Sequence, residues 1–96
     1  MTGSMRSSDG LDDRRKRLLF RSWRRGTREM DLILGRFADA AIASLTEDEL
    51  TQFERLLDLP DPDLYAAFTG DRPIPEGWPR PLFLRIKAFL SVGQGA

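Results

Sequence analysis

The 96-residue sequence contains neither cysteine nor histidine. Without cysteine there is no disulfide framework and no Cys-ligated metal site. Without histidine the chain lacks the commonest general base and the commonest metal ligand. A Ser-His-Asp triad, a Cys-His pair and an ordinary zinc centre are therefore out of reach. The expectation is a binding protein and not an enzyme, with carboxylate-only chemistry as the one catalytic route left. No run approaches the roughly 18–20 apolar residues that a membrane-spanning helix needs, so a soluble chain with no membrane insertion is predicted. Residues 1–10 lack the apolar stretch of a secretory signal, and Asp9, Asp12 and Asp13 argue against an acid-poor transit peptide. The expected location is the cytoplasm in preference to an organelle. No GxGxxG or GxxxxGK[ST] loop is present, so stable binding of a nucleotide or dinucleotide cofactor by the chain itself has no support.

Net charge is also zero, but the signs are segregated. Residues 1–36 carry ten Lys/Arg against five Asp/Glu, residues 37–71 carry nine Asp/Glu against Arg55 alone, and residues 72–96 carry four bases against one acid. Two readings follow. The basic segment meets an acidic partner, or the segments neutralise one another across the fold.

The apolar residues that are present repeat at close to 3.6, and no alternating run suggests strands. Residues 11–24 predict a first helix capped by Ser8 or Asp9, with Leu11, Leu18, Leu19 and Trp23 as apolar contacts and Gly26 as its stop. Met30, Ile33, Leu34, Phe37, Ala38, Ala41 and Ile42 form one buried stripe on a second helix capped by Thr27. Thr46 and Glu49 form a capping box that opens a third helix, with Leu50, Phe53, Leu56 and Leu57 facing the core and Pro60 as the stop. Asp61-Pro62-Asp63 reads as N-cap, first-turn proline and first-turn acid of a short fourth helix that runs to Phe68 and stops at Gly70. Residues 70–81 are too rich in proline for a helix, and Trp78 within them is expected to anchor the loop to the core. A fifth helix over residues 80–91 presents Leu82, Ile86, Phe89 and Leu90. The predicted fold is all-α, a single five-helix bundle-like domain over residues 11–91, with a disordered tail at 1–10 and a frayed one at 92–96.

One segment carries chemistry beyond the core: Trp23-Arg24-Arg25-Gly26-Thr27-Arg28-Glu29-Met30-Asp31. It places arginines, an aromatic and two carboxylates at a helix–helix corner, where a helix start also offers unpaired N–H groups. Arginine and tryptophan are enriched at interface hot spots, and guanidinium grips carboxylates bidentately. The plainer reading is that Arg25 and Glu29, four apart, pair locally for about 0.2–0.5 kcal/mol and that Gly26 only ends a helix.

Arg25-Gly26-Thr27-Arg28-Glu29-Met30-Asp31 resembles the Arg-Gly-x-x-Glu motif, in its longer form Arg-Gly-x-Arg-Glu-x-Asp, of the succinate dehydrogenase flavinylation factors. The likeness extends over residues 13–90, through the basic helix before the motif, the Leu-Thr-Glu-Asp-Glu-Leu helix start and Leu-Leu-Asp-Leu-Pro-Asp-Pro-Asp-Leu-Tyr. The proline-rich stretch 73–81 departs from the family pattern and leaves the docking of the last helix open. The resemblance implies a small helical assembly factor that binds the flavoprotein subunit of succinate dehydrogenase or fumarate reductase. There it promotes covalent attachment of FAD, through the flavin 8α-methyl carbon, to a histidine of that subunit. Because this chain has no histidine, the acceptor belongs to the partner, as does the FAD. Carried over by position, Arg25, Gly26 and Glu29 form the contact surface, with Arg28 and Asp31 as outer members. Lys16, Arg17, Trp23 and Arg24 are expected to extend it.

Rival readings are a helix-turn-helix nucleic-acid binder and a toxin-neutralising regulatory module. The outward residues of the second helix weigh against the first, because Glu29, Asp31 and Asp39 beside Arg28 and Arg36 make a poor phosphate surface. Nucleic acid is therefore not expected as a partner.

Overall fold

The computed structural model describes residues 10–94, with side chains described through Ser91. Its elements are α1 (Asp13–Ser22), α2 (Arg28–Ala41), a 3-10 turn (Ile42–Ser44), α3 (Glu47–Leu57), α4 (Asp61–Thr69) and α5 (Arg80–Gln94). Among the described residues, the all-α architecture and the count of five helices agree with the periodicity. Of the tails expected at residues 1–10 and 92–96, residues 1–9 and 95–96 lie outside the described part.

α2 is the central element, and its predicted stripe explains why. Met30, Ile33, Leu34, Phe37, Ala38 and Ala41 are all buried, with Ile42 continuing the line into the 3-10 turn. Phe37 sits edge-on to Phe53 of α3 at 5.9 Å and to Phe89 of α5 at 5.6 Å. One ring thereby ties three helices together, in the T-shaped geometry that aromatic quadrupoles favour.

The proline-rich connection is pinned, which answers how α5 docks. Trp78 packs against Phe83 with ring centroids 5.8 Å apart, and Phe83 stacks on Phe68 at 4.3 Å. Trp78 is therefore a core anchor, as expected. Phe83, outside the predicted apolar side of the last helix, is fully buried. The Leu82 N–H donates to Gln52 Oε1 at 3.1 Å and fixes the start of α5 against α3.

Several helix ends differ from expectation, each for a local reason. Asp12 caps α1, its carboxylate accepting from the Arg15 N–H, in place of Ser8 or Asp9. α1 ends at Ser22 because Trp23, its C-cap, turns its indole across α2. Gly26 accordingly lies in the loop beyond the cap, where its φ of +112° still requires glycine. The N-cap of α4 is Pro60, with no side-chain cap, because the Asp61 carboxylate is engaged by Arg25. α5 continues to Gln94, three residues beyond the expected end at Ser91. The Thr46–Glu49 capping box forms as predicted.

The segregated charges largely neutralise across the fold. Arg14 forks onto Glu54 through Nε and Nη2, at 2.9 and 3.0 Å, and reaches Glu47 at 2.7 Å. Arg21 pairs with Asp58 at 2.9 Å. The Arg14 guanidinium holds the Glu54 carboxyl below its usual range. Glu49 is lowered chiefly by the Thr46 backbone N–H and then by Arg85. Exposed pairs of this kind contribute little stability, about 0–1 kcal/mol each; those of Arg14 and Arg21 reach from α1 to α3 and its C-cap, and that of Arg85 joins α5 to α3.

Gly35 has a packing role that periodicity does not reveal. A Cβ there would stand 2.4–2.8 Å from atoms of the Trp23 ring. That ring is 6% exposed and tethered by its Nε1–H to Asp39 at 3.1 Å, so it has no room to retreat. Gly35→Ala should destabilise the domain by roughly 1–2 kcal/mol, overpacking outweighing the gain in helix propensity. Chemical denaturation followed by tryptophan fluorescence checks this, and a neutral or stabilising result contradicts the packing argument.

Candidate functional site

The corner between α1 and α2 is built from the inside outward. The Arg25 guanidinium points into the domain and is 11% exposed. Its Nε donates to Asp61 Oδ1 at 2.8 Å, its Nη2 to the Leu59 carbonyl at 2.8 Å, and its Nη1 to the Leu57 carbonyl. Leu57 is the last residue of α3 and Asp61 the first of α4. The cation therefore satisfies carbonyls at the negative end of one helix dipole and pairs with an acid at the positive end of the next. Arg15 plays a similar part below α2, donating to the carbonyls of Ile42 and Leu45 at 3.0 and 2.7 Å.

The loop is also bound to α2. The Arg25 N–H donates to Asp31 Oδ1 at 2.6 Å, and Thr27 Oγ1 caps α2 by accepting from the Met30 N–H at 3.3 Å. Met30 itself is buried in the core. Of the seven motif residues, Arg25, Thr27, Met30 and Asp31 thus hold the corner in one conformation. Gly26, Arg28 and Glu29 are exposed at its crest. Among the described residues, no hydrogen bond or ion pair engages the Glu29 carboxylate or the Arg28 guanidinium. Apart from Gly26 itself and its two chain neighbours, no atom of the described residues lies within 4 Å of where a Gly26 Cβ would be.

Two expectations are corrected here. Arg25 does not pair locally with Glu29, and its guanidinium is not presented to a visitor, because the α3–α4 junction supplies better-placed acceptors. Trp23 does not extend the exposed patch, because its indole lies buried on Gly35. The tryptophan is core, as the first-helix pattern suggested. The remaining expected positions are on the surface: Lys16, Arg17 and Arg24 are exposed. Arg24 stacks over the Phe20 ring at 4.2 Å, and Phe20 is 57% exposed. Phe20 escaped the sequence reading, although its offset from the Leu18–Leu19 stripe is a visible signal.

A second feature adjoins the crest. Glu29, Leu32, Ile33 and Arg36 of α2 line an open groove of about 220 Å³, closed on its far side by Tyr65 of α4 and by Phe89 and Leu90 of α5. Tyr65 is 42% exposed. No helix among the described residues is long and apolar enough to cross a membrane.

Fold and corner together define a class: a small helical protein whose distinctive surface is a rigid charged loop between its first two helices. The chain belongs to the family described as flavinator of succinate dehydrogenase, whose model matches residues 16–90. It is 40% identical over 89 residues to the FAD assembly factor SdhE of Acetobacter pasteurianus, spanning 93% of this chain and 82% of that protein. It is 34% identical over 84 residues to the mitochondrial succinate dehydrogenase assembly factor 2 of Debaryomyces hansenii, spanning 84% of this chain and 59% of that one. With the protein of the same description from Mycosarcoma maydis it shares 40% identity over 73 residues, 76% of this chain and 31% of that one. The chain thus spans under two thirds of the length of these two mitochondrial relatives. No solved structure matches it.

Proposed function

We propose that this chain is an assembly factor that docks on the flavoprotein subunit of succinate dehydrogenase, or of fumarate reductase, and promotes covalent attachment of FAD to it. The observation that carries the reading is the division of labour within the motif. Four residues lock the corner from within, and Gly26, Arg28 and Glu29 stand free at its crest. A prearranged loop loses little conformational freedom when it binds, which favours affinity.

The acceptor histidine and the FAD belong to the client subunit, since this chain has no histidine. The factor contributes positioning and fixed charge, and the bond-making groups are the client's. Lys16 and Arg17 on α1, and Arg24 just beyond its C-cap and stacked on Phe20, flank the crest and suit an acidic border on the client. The reading places the factor in a bacterial cytoplasm.

Deleting the gene tests the proposal. Flavoprotein subunit from the deletion strain should carry several-fold less covalent flavin, seen as in-gel fluorescence after denaturation, and the wild-type gene should restore it. Equal fluorescence with and without the gene refutes the assignment.

A further inference from the structure

Glu29, Leu32, Ile33 and Arg36 stand at offsets 0, 3, 4 and 7 along α2, so they share one side of the helix. That side is not covered by α1. It faces the open groove shared with α4 and α5, and two further depressions extend the groove at its ends. One runs to the start of α4 past Thr27, Asp61 and Pro62. The other runs along α5 past Lys87 and Ser91. Tyr65 lines all three. Its neighbours Leu64, Ala67 and Phe68 are buried, whereas its own ring is 42% exposed at the centre of this surface. An apolar floor with a tyrosine at its centre and charges at its rim is the composition of a protein interface.

The charges are ordered along the groove. Glu29 marks one end, and Arg36 and Lys87 the other. Glu29 and Arg36 are seven positions apart on α2, a rise of about 10 Å, enough to seat two turns of a facing helix. A helix carries partial positive charge at its N-terminus and negative charge at its C-terminus. Laid with its N-terminus at Glu29, it meets the opposite charge at both ends.

We propose that the α2–α4–α5 groove seats an amphipathic helix of the flavoprotein client, its apolar side chains against Tyr65, Leu32 and Leu90 and its N-terminal end at Glu29. The inference rests on the proposed function and names the part of the client that the crest and its groove hold. Recognition is then of the helix-in-groove kind, read by anchors at i and i+3 or i+4. Glu29 serves both surfaces, which joins the motif to the groove in one interface.

The test is calorimetric titration of the purified client subunit with the full chain and three variants. Tyr65→Ala should weaken binding by roughly tenfold or more, as truncation of an interface anchor does. Tyr65→Phe should stay within about threefold of wild type, because the ring provides the contact. Arg36→Glu should weaken binding several-fold by placing like charge at the helix C-terminus. Thermal melts of the isolated variants should match wild type. Hydrogen exchange on the client should then show protection in a helical segment.

If wild type binds and Tyr65→Ala and Arg36→Glu bind equally well, the groove assignment is overturned while the assembly-factor reading stands. Absence of any wild-type binding to the client overturns both. Protection confined to a non-helical client segment overturns the helical occupant. So does a homodimer, seen by sedimentation, that Tyr65→Ala dissociates while client binding is unchanged.

Discussion

Arg25→Ala should lower the stability of the isolated domain by about 2–4 kcal/mol, the largest single-residue effect expected at the corner. The guanidinium is 11% exposed and its partner Asp61 17% exposed, so water screens the pair only in part. Alanine removes the ion pair and leaves Asp61 without its partner. It also strips the donors from the carbonyl of Leu57, the last residue of α3, and from that of Leu59 in the connection to α4. In a domain of this size each kcal/mol moves the melting temperature by roughly 4–8 °C, so the loss is plain in a circular-dichroism melt. Arg25→Lys should recover only part of it, because one ammonium cannot reproduce a planar fork that serves a carboxylate and two carbonyls. Combined with Asp61→Asn, the two losses should be less than additive, since both report one interaction. A melt of Arg25→Ala within about 0.5 kcal/mol of wild type contradicts the structural role assigned to this arginine.

Glu29→Ala should do the reverse. The side chain is exposed in the first turn of α2 and makes no hydrogen bond or ion pair among the described residues, so the fold should weaken only through the helix dipole, by about 0.3–1 kcal/mol. Binding to the client subunit should fall roughly 10- to 100-fold, the effect of removing a charged hydrogen-bonding group worth about 1.5–3 kcal/mol. In cells, covalent flavin on the client should drop to near the level of the deletion strain. Glu29→Gln should separate charge from shape, and partial recovery indicates that the carboxylate accepts hydrogen bonds as well as carrying charge. Unchanged affinity in Glu29→Ala removes the motif crest from the interface. The two substitutions share an end phenotype for different reasons. Loss of Arg25 disorganises the surface, and loss of Glu29 leaves it in place without its contact. Comparing melting with affinity tells them apart.

The same contrast marks how far the motif was legible as a string of residues. The charged cluster around Gly26 is recognisable from composition and spacing, and so is the helix that begins at Thr27. The direction in which each charge points is not. Arg25 and Glu29 look like equal members of an (i, i+4) pair, yet one turns inward and the other outward. Trp23 fits an interface anchor as well as it fits core, and Gly35 alone hints at the answer, since a glycine inside a good helix usually has a packing cause. Tyr65 and Phe20 sit beside buried residues in their own helices, and their exposure follows from which neighbours those helices meet.

By itself the sequence determined the all-α class, the five helices, the buried stripe of α2, the Thr46 capping box and the family resemblance. These rest on local chemistry, in which a helix period or a cap is complete within about four residues of chain. Only the tertiary structure decided which charges are used internally and which are offered outside. The acceptors of Arg25 lie 32 to 36 residues away, and α3 and α4 must pack before they exist as a site. Long-range placement of this kind is set by the shape of the whole core, and no short window of residues contains it.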